Sequence, residues 1–451
     1  MATQVIVLAA GQGTRMQSEM PKVLHAIGGL PMFAHALAAS AVLSPARQVL
    51  VVGHGGEAVA EAAHKLDPDV IVVTQEDQLG TGHAVEQARA ALADAGGDTL
   101  VLYGDTPFIE PETLERMADA RATGADVVIL GFEAAAPGRY GRLVMTGDRL
   151  DRIVEFKDAD DTKRAITFCN SGVVLADTGT LFSLVAELGN DNAAGEYYLT
   201  DIVALANARG LRATAIACAE AETLGVNSRA ELAAAEAVFQ TRKRAEMLET
   251  GVTLTAPETV FFAHDTVIGR DAVIEPNVVF GPGVTVETGA VIRAFSHLEG
   301  AHVGRGAIVG PYARLRPGAE LSNDARVGNF CEIKNATLGD GAKVNHLSYI
   351  GDASVGAASN IGAGTVTCNY DGVSKHRTTI GEGVFIGSDT MLVAPVTVGD
   401  HAMTASGSVI TSDVPAEALA LARARQEIKP GFAPRLIAKL RAAKAARQKG
   451  S

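Results

Sequence analysis

Two fold classes follow one another in this sequence: an open, mostly parallel α/β sheet, then an all-β parallel helix of six-residue steps. Three observations predict this. Short apolar runs alternate with alanine-rich stretches up to residue 228. From residue 252 onward a large apolar side chain recurs at every sixth position. The 451 residues include 48 glycines and no tryptophan, which favours many tight turns over a core of large rings.

In the first half, the runs at 4–9, 48–52, 69–74, 99–103 and 126–130 are rich in Val, Ile and Leu. They lack polar alternation, as strands covered on both faces do. Helical stretches at 32–43, 82–93 and 111–123 separate them. Such alternation implies a sheet with helices on its faces, and ligands at the carboxyl ends of its strands. Ser228 and Glu231 then form a capping-box pattern, and Gly251 supplies a stop. The helix between them is either the last of the first domain or a connector. We place the boundaries at 1–228, a linker helix at 229–250, and 251–451.

The six-residue rhythm runs through Ile268, Ile274, Phe280, Val286, Ile292 and Leu298. After a one-residue slip it continues through Val303, Val309, Leu315, Leu321, Val327 and Ile333. One such series arises by chance about once in a hundred at this apolar content, so two in succession argue for a real repeat. Hexapeptide periodicity is a β-helix signature, with one short strand and one turn per step. Residues 369–379 break the rhythm and predict a loop projecting from a coil.

The formal net charge of −13 argues against nucleic acid as a partner, while leaving room for a local basic pocket. Cys169, Cys218, Cys331 and Cys368 have no metal-like spacing and are expected to be reduced thiols. No segment has the apolar length of a membrane span, and no signal-peptide pattern opens the chain. A cytoplasmic protein without membrane insertion is therefore expected. The tail from Ala416 is alanine-rich and basic, with Arg423, Arg425, Lys429, Arg435 and Lys439 among its cations. It reads either as a solvated helix or as a carrier of cations to a phosphorylated ligand.

The first strand runs into Leu8-Ala9-Ala10-Gly11, then Gly13, Arg15 and the Pro21-Lys22 pair. A glycine turn leaving a buried strand exposes backbone N–H groups to phosphate, and Arg15 and Lys22 would stabilise charge during phosphoryl chemistry. The pattern lacks both the Walker lysine motif and the full dinucleotide fingerprint. Asp105, after Tyr103-Gly104, ends another strand, where it is either a Mg²⁺ ligand or a helix cap. In the second half, His346 is either a general base or an exposed surface histidine, with Glu332 available to orient it.

The motif around Gly11 resembles that of the sugar-nucleotide pyrophosphorylases over residues 3–228. The resemblance implies that Leu8, Ala9, Ala10 and Gly11 hold the nucleotide, and that Gln75, Gly80 and Thr81 recognise uracil. It implies that Tyr103, Gly104, Asp105 and Asn227 complete the nucleotide and Mg²⁺ site, with Asp105 and Asn227 as metal ligands. Gly141, Glu155 and Asn170 match sugar-binding positions, and 197–201 matches a segment near the sugar. The repeats resemble those of hexapeptide acyltransferases, which implies a left-handed β-helix. The run from Asn360 to Asp371 closely resembles the bifunctional family that joins these two activities.

That resemblance implies His346 as the catalytic base and Arg316, Lys334, Tyr349 and Asn360 as contacts for the sugar phosphate. It implies Ala363, Asn369, Tyr370, Ser388, Ser406 and Arg423 as acetyl-CoA contacts; Ser406 departs from the alanine usual there. The implied reactions are acetyl transfer from acetyl-CoA to glucosamine-1-phosphate, then uridylyl transfer from UTP to N-acetylglucosamine-1-phosphate. The implied product is UDP-N-acetylglucosamine, a precursor of peptidoglycan and lipopolysaccharide. A homotrimer is also implied. Two other readings stay open: a single-activity pyrophosphorylase whose β-helix serves assembly, and a non-enzymatic sugar-nucleotide sensor.

Overall fold

The computed structural model describes residues 2–11, 13–53 and 55–449. The chain divides into two compact units: Met1–Glu246 with Phe262–His264, and Met247–Phe261 with Asp265–Ser451.

The first unit is built on a mixed sheet. Its strands are β1 (Thr3–Ala9), β2 (Arg47–Gly53), β3 (Ile71–Gln75), β4 (Asp98–Tyr103), β5 (Val127–Glu133), β6 (Arg142–Thr146), β7 (Arg149–Val154), β8 (Phe168–Asp177) and β9 (Ala213–Cys218). The order is β9-β5-β8-β4-β1-β2-β3, with the β6–β7 hairpin joined to the edge of β8. All pairings on the main path are parallel except those of β8, which runs antiparallel between β4 and β5. The sequence gives no sign of that insertion, because β8 is as apolar as its parallel neighbours. Helices α1 (Met32–Ser40), α2 (Glu57–Leu66), α3 (Thr81–Glu86) and α4 (Pro111–Ala122) cover the faces. The stretch expected as one helix over 82–93 is divided: α3 tightens at Gln87, whose N–H bonds Ala84, and a short 3₁₀ turn follows at Ala90–Leu92.

Strand succession reverses at β1. The chain goes from β1 outward through β2 and β3, then returns to the other side of β1 for β4. That reversal opens a crevice beyond the carboxyl ends of β1 and β4. The segments that leave those ends are Ala10-Gly11 and Gly104-Asp105.

A long helix, α5 (Arg229–Glu249), follows. Ser228 Oγ accepts from the Glu231 N–H at 3.2 Å, which is half of the expected capping box. The other half reaches one residue further back: Glu231 Oε2 accepts from the Asn227 N–H at 2.7 Å. Gly251 ends the segment at φ +89°, as a C-terminal glycine should.

The second unit is a parallel β-helix. Val273 pairs with Val291, Val291 with Ile308, Ile308 with Arg326, Arg326 with Lys343 and Lys343 with Asn360. Each coil therefore takes three hexads or one residue fewer, and the short coils account for the slip in the sequence rhythm. Ile274, Ile292, Val309, Val327, Val344, Ile361 and Ile386 stack along one inner wall and are all 3 % exposed or less. Burying each contributes about 1.5–3 kcal/mol. Two residues before most of them stands a small corner residue, such as Ala272, Ala290, Ala307, Ala325 or Ala342. Between Ala353 and Thr378 the pairing step lengthens, and the extra residues form the expected loop. The tail carries α6 (Phe432–Lys449), which is exposed along its described side chains.

Candidate active sites

In the first unit, a cavity of about 310 Å³ lies at the topological reversal. Leu8, Ala9, Ala10, Gly11, Lys22, Gln75, Gly80, Thr81, Tyr103 and Asp105 line it, as the sequence reading grouped them. Among the described residues nothing lies within 4 Å of where a Cβ on Gly11 would project, so the missing side chain leaves room for a ligand. Gly13 has another reason. Its φ is +61°, and a Cβ there would sit 2.5 Å from Lys22 Cβ. Glycine at this point lets Lys22 pass under the turn and into the crevice. Gln12, between these glycines, lies outside the described residues.

Lys22 is 8 % exposed. Its Nζ donates to Asp105 Oδ2 at 2.5 Å and to Asn227 Oδ1 at 3.0 Å. Two facts bring Asn227 to Asp105: the Val226 N–H donates to the Asp105 carbonyl at 2.9 Å, and Glu231 holds the Asn227 N–H. The ammonium thus occupies the gap between the two expected metal ligands. Two oxygens that already hold one cation fit Mg²⁺, which takes few protein ligands and keeps water and phosphate for the rest. Among the described residues no three His, Cys, Asp or Glu side chains converge on a metal position.

Gln75 is 3 % exposed. Its Nε2 is engaged by the Gly80 carbonyl and the His83 ring, each at 3.1 Å. That leaves its Oε1 as an acceptor for a ligand N–H. Gly80 has φ +114°, and a Cβ on it would lie 2.7 Å from the Tyr197 carbonyl oxygen. The 197–201 segment packs against this turn, since the Gly82 N–H donates to Tyr197 O and the Leu199 N–H to Thr81 Oγ1.

A second cavity, of about 430 Å³, is lined by Arg139, Glu155, Phe156, Lys157, Ala194, Glu196 and Tyr198. Glu196 lines both cavities. Gly141 and Asn170 stand beside Glu155: the Asn170 N–H donates to Gly141 O at 2.9 Å, and a Cβ on Gly141 would be 3.3 Å from Glu155 Oε1. Burial pushes the Glu155 carboxyl above its usual range. The Thr200 hydroxyl, at 3.1 Å, partly offsets this, and Asp201, Asp158 and Glu196 add to it.

Arg15 does not join the nucleotide cavity. It lies exposed in the turn Thr14–Met16 and is not among the residues that line the cavity. Gly104 supports the crevice from beneath, its N–H bonded to Leu8 O. Sequence reasoning missed Gln78, whose Nε2 reaches the Ala10 carbonyl at 2.5 Å. It also missed Glu196 and Arg139 as lining residues, because an isolated polar residue in a loop carries no pattern.

In the second unit, His346 sits at an exposed corner of the β-helix. Its Nδ1 donates to Asn329 Oδ1 at 3.0 Å, which leaves Nε2 with a lone pair directed away from that bond. The expected orienting role of Glu332 is not what the structure has. Glu332 gives its carboxylate to Arg316 at 2.8 Å and Arg314 at 4.0 Å. Asn329, one coil before His346, is the residue that holds the imidazole. The pairing of Asn329 with His346 at one coil's separation is the signal that could have found it.

One corner column continues from His346 along successive coils. The Gly364 N–H donates to His346 O, the Asp389 N–H to Ala363 O, and the Gly407 N–H to Ser388 O. Arg423 Nη1 donates to Ser406 O at 2.8 Å. Ala363, Ser388, Ser406 and Arg423 are therefore neighbours in space. On the adjacent face Arg316, Glu332, Lys334 and Tyr349 share one patch, since Arg314 pairs with Glu332 and Glu332 with Tyr349 in register. Asn360 pairs with Lys343 and lies on the same sheet as His346. Asn369 is 8 % exposed, and Tyr370 is 60 % exposed at the loop tip. Lys375, also missed by sequence reasoning, crowds Lys334. The neighbouring Lys375 ammonium, of like charge, holds the Lys334 ammonium below its usual range.

Residues 5–191 match the MobA-like NTP transferase domain, and residues 265–300 and 377–412 match the bacterial transferase hexapeptide family with its six repeats. Six-residue repeats of that family build a left-handed parallel β-helix. The chain is 69 % identical over 447 residues to a bifunctional protein GlmU of Cereibacter sphaeroides, covering 99 % of this chain and 98 % of that one. It is 66 % identical over 450 residues to the bifunctional protein GlmU of a Ruegeria species, covering 100 % of both. It is 68 % identical over 449 residues to that of Ruegeria pomeroyi, again covering 100 % of both.

Proposed function

The chain belongs to the bifunctional GlmU family, and from that premise we propose which residues and ligands carry each of its two reactions. It is an enzyme, a nucleotidyltransferase joined to an acetyltransferase, in the synthesis of UDP-N-acetylglucosamine. The observation that carries the assignment of sites is the pairing of a cation-filled Asp105–Asn227 gap with an oriented imidazole at a coil corner.

In the N-terminal unit, UTP lies in the crevice at the ends of β1 and β4. Gln75 Oε1 accepts the uracil N3–H, which a cytosine ring does not offer. Ala10 and Gly11 run their backbone along the phosphates. Mg²⁺, held by Asp105 and Asn227, would neutralise charge on the phosphate oxygens. Lys22, released from Asp105, moves its ammonium onto the phosphate that changes bonds. Glu155 and Asn170 hold the sugar of N-acetylglucosamine-1-phosphate, whose phosphate oxygen attacks the α-phosphorus in line. Pyrophosphate leaves, and no protein nucleophile is needed. Arg15 reaches the phosphates only if its turn closes on bound nucleotide.

In the C-terminal unit, His346 Nε2 takes the proton from the amine of glucosamine-1-phosphate as nitrogen attacks the thioester carbon of acetyl-CoA. The tetrahedral intermediate then expels the coenzyme A thiolate. Asn329 fixes the tautomer this requires. Arg316, Lys334 and Lys375 meet the sugar phosphate, with Tyr349 and Asn360 beside them. Acetyl-CoA runs along the corner column past Ala363, Ser388 and Ser406, with Asn369, Tyr370 and Arg423 at its edge.

Phe295, Tyr312 and Phe330 stack along the same corner while half exposed, with ring centroids 4.9 Å and 5.4 Å apart. Such an apolar ladder supports a homotrimer in which a second copy covers the column. Among the described residues no helix is long and apolar enough to cross a membrane. A cytoplasmic location agrees with that and with the nature of the substrates. The test is an assay of purified chain with two substrate pairs. Glucosamine-1-phosphate with acetyl-CoA should release coenzyme A, and N-acetylglucosamine-1-phosphate with UTP and Mg²⁺ should release pyrophosphate. Failure of either reaction removes the corresponding site.

A further inference from the structure

The loop that interrupts the β-helix is a hairpin closed by its own hydrogen bonds. The His376 N–H donates to Asn369 O at 2.8 Å, and Tyr370 pairs antiparallel with Lys375. At the tip, Asp371 Oδ1 accepts from the Val373 and Ser374 N–H groups at 2.8 and 2.7 Å, and Oδ2 meets His376 Nε2 at 2.7 Å. These bonds give the hairpin its shape. They do not fix its position against the coil beneath.

That position depends on Asp352. It is 8 % exposed and stands in the coil below the loop at φ +47°. One carboxylate oxygen accepts from Asn335 Nδ2 at 2.6 Å, and the other accepts from Asn369 Nδ2. Asn335 is itself at φ +44°, so two successive coils are turned to aim an amide and a carboxylate at one point. Lys334 pairs in register with Gly351, the residue before Asp352, and Lys375 lies in the hairpin that follows Asn369. Burial works to raise the pKa of Asp352, but the two amides, Lys375 and Lys334 outweigh burial and hold the carboxyl below its usual range. Asp352 is thus the anion among cations that otherwise repel one another, and the post to which the first loop residue is tied.

We propose that Asp352 is a positioning residue of the acetyl-transfer site, clamping Asn369 and so holding the hairpin that carries Lys375 where both it and Lys334 can meet the sugar phosphate. The inference rests on the placement of the acetyl-transfer site given above. Asp352 touches no substrate. It acts through the loop and through Lys375 on that loop. Without the carboxylate charge the hairpin loosens, and the phosphate keeps Arg316 and Lys334 but loses its hold on Lys375.

The test is steady-state kinetics of the full chain with Asp352→Asn, which keeps shape and left-handed preference but removes the charge and opposes one amide NH₂ with another. The KM for glucosamine-1-phosphate should rise on the order of tenfold and that for acetyl-CoA by less, through the loosened Asn369, with kcat changed less than about threefold. Uridylyl transfer should keep its rate, and the retained kcat of acetyl transfer shows that the β-helix of the variant is folded. Adding Asn335→Asp to Asp352→Asn returns a carboxylate to the same cluster, and should restore at least about half of the lost affinity. An unchanged KM in Asp352→Asn, or equal loss in kcat and KM with no rescue by the double variant, overturns the proposal. His346→Ala run alongside separates the two questions. If it retains acetyl transfer, the site itself is misplaced. If it loses acetyl transfer while Asp352→Asn is silent, only the positioning role falls.

Discussion

Replacing Asp105 by asparagine tests the nucleotide site most directly, because the structure sets the size of the effect. The ion pair with Lys22 is 2.5 Å long, with side-chain exposures of 9 % for Lys22 and 23 % for Asp105. At an effective dielectric of ~20 its Coulomb attraction is about 7 kcal/mol, most of it cancelled by desolvation. Asparagine keeps the shape and still offers Lys22 a carbonyl oxygen, and Asn227 Oδ1 stays at 3.0 Å. Only the charge is lost, at a cost of about 2 kcal/mol. For a unit of this size that is about 4–8 °C in melting temperature. Catalysis suffers more. A metal that loses its carboxylate forfeits about 4 kcal/mol of transition-state stabilisation, or about a thousandfold in rate. The assay is calorimetry of the full chain in chelator, followed by pyrophosphate release with Mg²⁺ and UTP; acetyl transfer serves as the internal control. Should Asp105→Asn melt with wild type in chelator and keep Mg²⁺-dependent release within about threefold, the cation gap is not the metal site.

Three further outcomes are expected. His346→Ala should slow acetyl transfer by about 10²–10⁴ with uridylyl transfer unchanged, and Asn329→Ala should slow it by roughly tenfold; normal acetyl transfer in His346→Ala would remove the imidazole as base. Glu155, raised by burial, should lose its charge on acidification at a higher pH than an ordinary carboxylate, so affinity for N-acetylglucosamine-1-phosphate should weaken earlier on the acid side. Because the folded state binds this proton more tightly than the unfolded chain, the ionised carboxylate costs stability at neutral pH, and stability returns as the pH falls through the raised pKa. Glu155→Gln should therefore melt higher than wild type at neutral pH and flatten that acid limb; a limb that stays in place assigns it to the substrate phosphate. Tyr312→Glu with Phe330→Glu should reduce the mass seen by light scattering to that of one chain and lower acetyl transfer at least about tenfold, and an unchanged mass takes the ladder out of the interface.

The sequence shows what repeats and what is apolar on both faces, and it hides what depends on a single polar contact. The six-residue rhythm foretold the coil, down to the slip after Leu298 that becomes a shortened pairing step between Thr285 and His302. The runs ending at Ala9 and Tyr103 foretold the strands that flank the crevice. Antiparallel β8 stayed hidden, because burial on both faces erases the difference between parallel and antiparallel strands. The nucleotide contacts were legible because most lie on one glycine turn. Arg15 was read as part of that turn, yet, two residues past the left-handed Gly13, it is exposed and does not line the cavity. Glu332 was read toward His346 by proximity in the repeat, but a nearby guanidinium at 2.8 Å takes it. Asn369 and Asp352 meet only because the loop folds back over its coil, which no spacing in the sequence records.

The corner that bears His346 also carries an energetic imbalance within the chain. Phe295, Tyr312, Phe330 and Leu347 all sit at positive φ, between 52° and 60°. At another corner of the β-helix such turns are made by Asp, as at Asp271 and Asp324, whose side chains tolerate the left-handed region. A large side chain there costs about 1–2 kcal/mol, and the same corner bears that cost on four coils. Stacking of the rings returns about 0.5–1.5 kcal/mol per pair, so it offsets only part. Each of the four also leaves about half or more of its side chain in water, between 48 % and 63 % exposed. Backbone strain persists where surrounding contacts over-determine it, and one chain does not supply those contacts. A second copy laid against the ladder would supply them and would give the corner column beside His346 its missing wall. Assembly and acetyl transfer would then draw on one surface, while uridylyl transfer, in a crevice closed by its own sheet, would need neither.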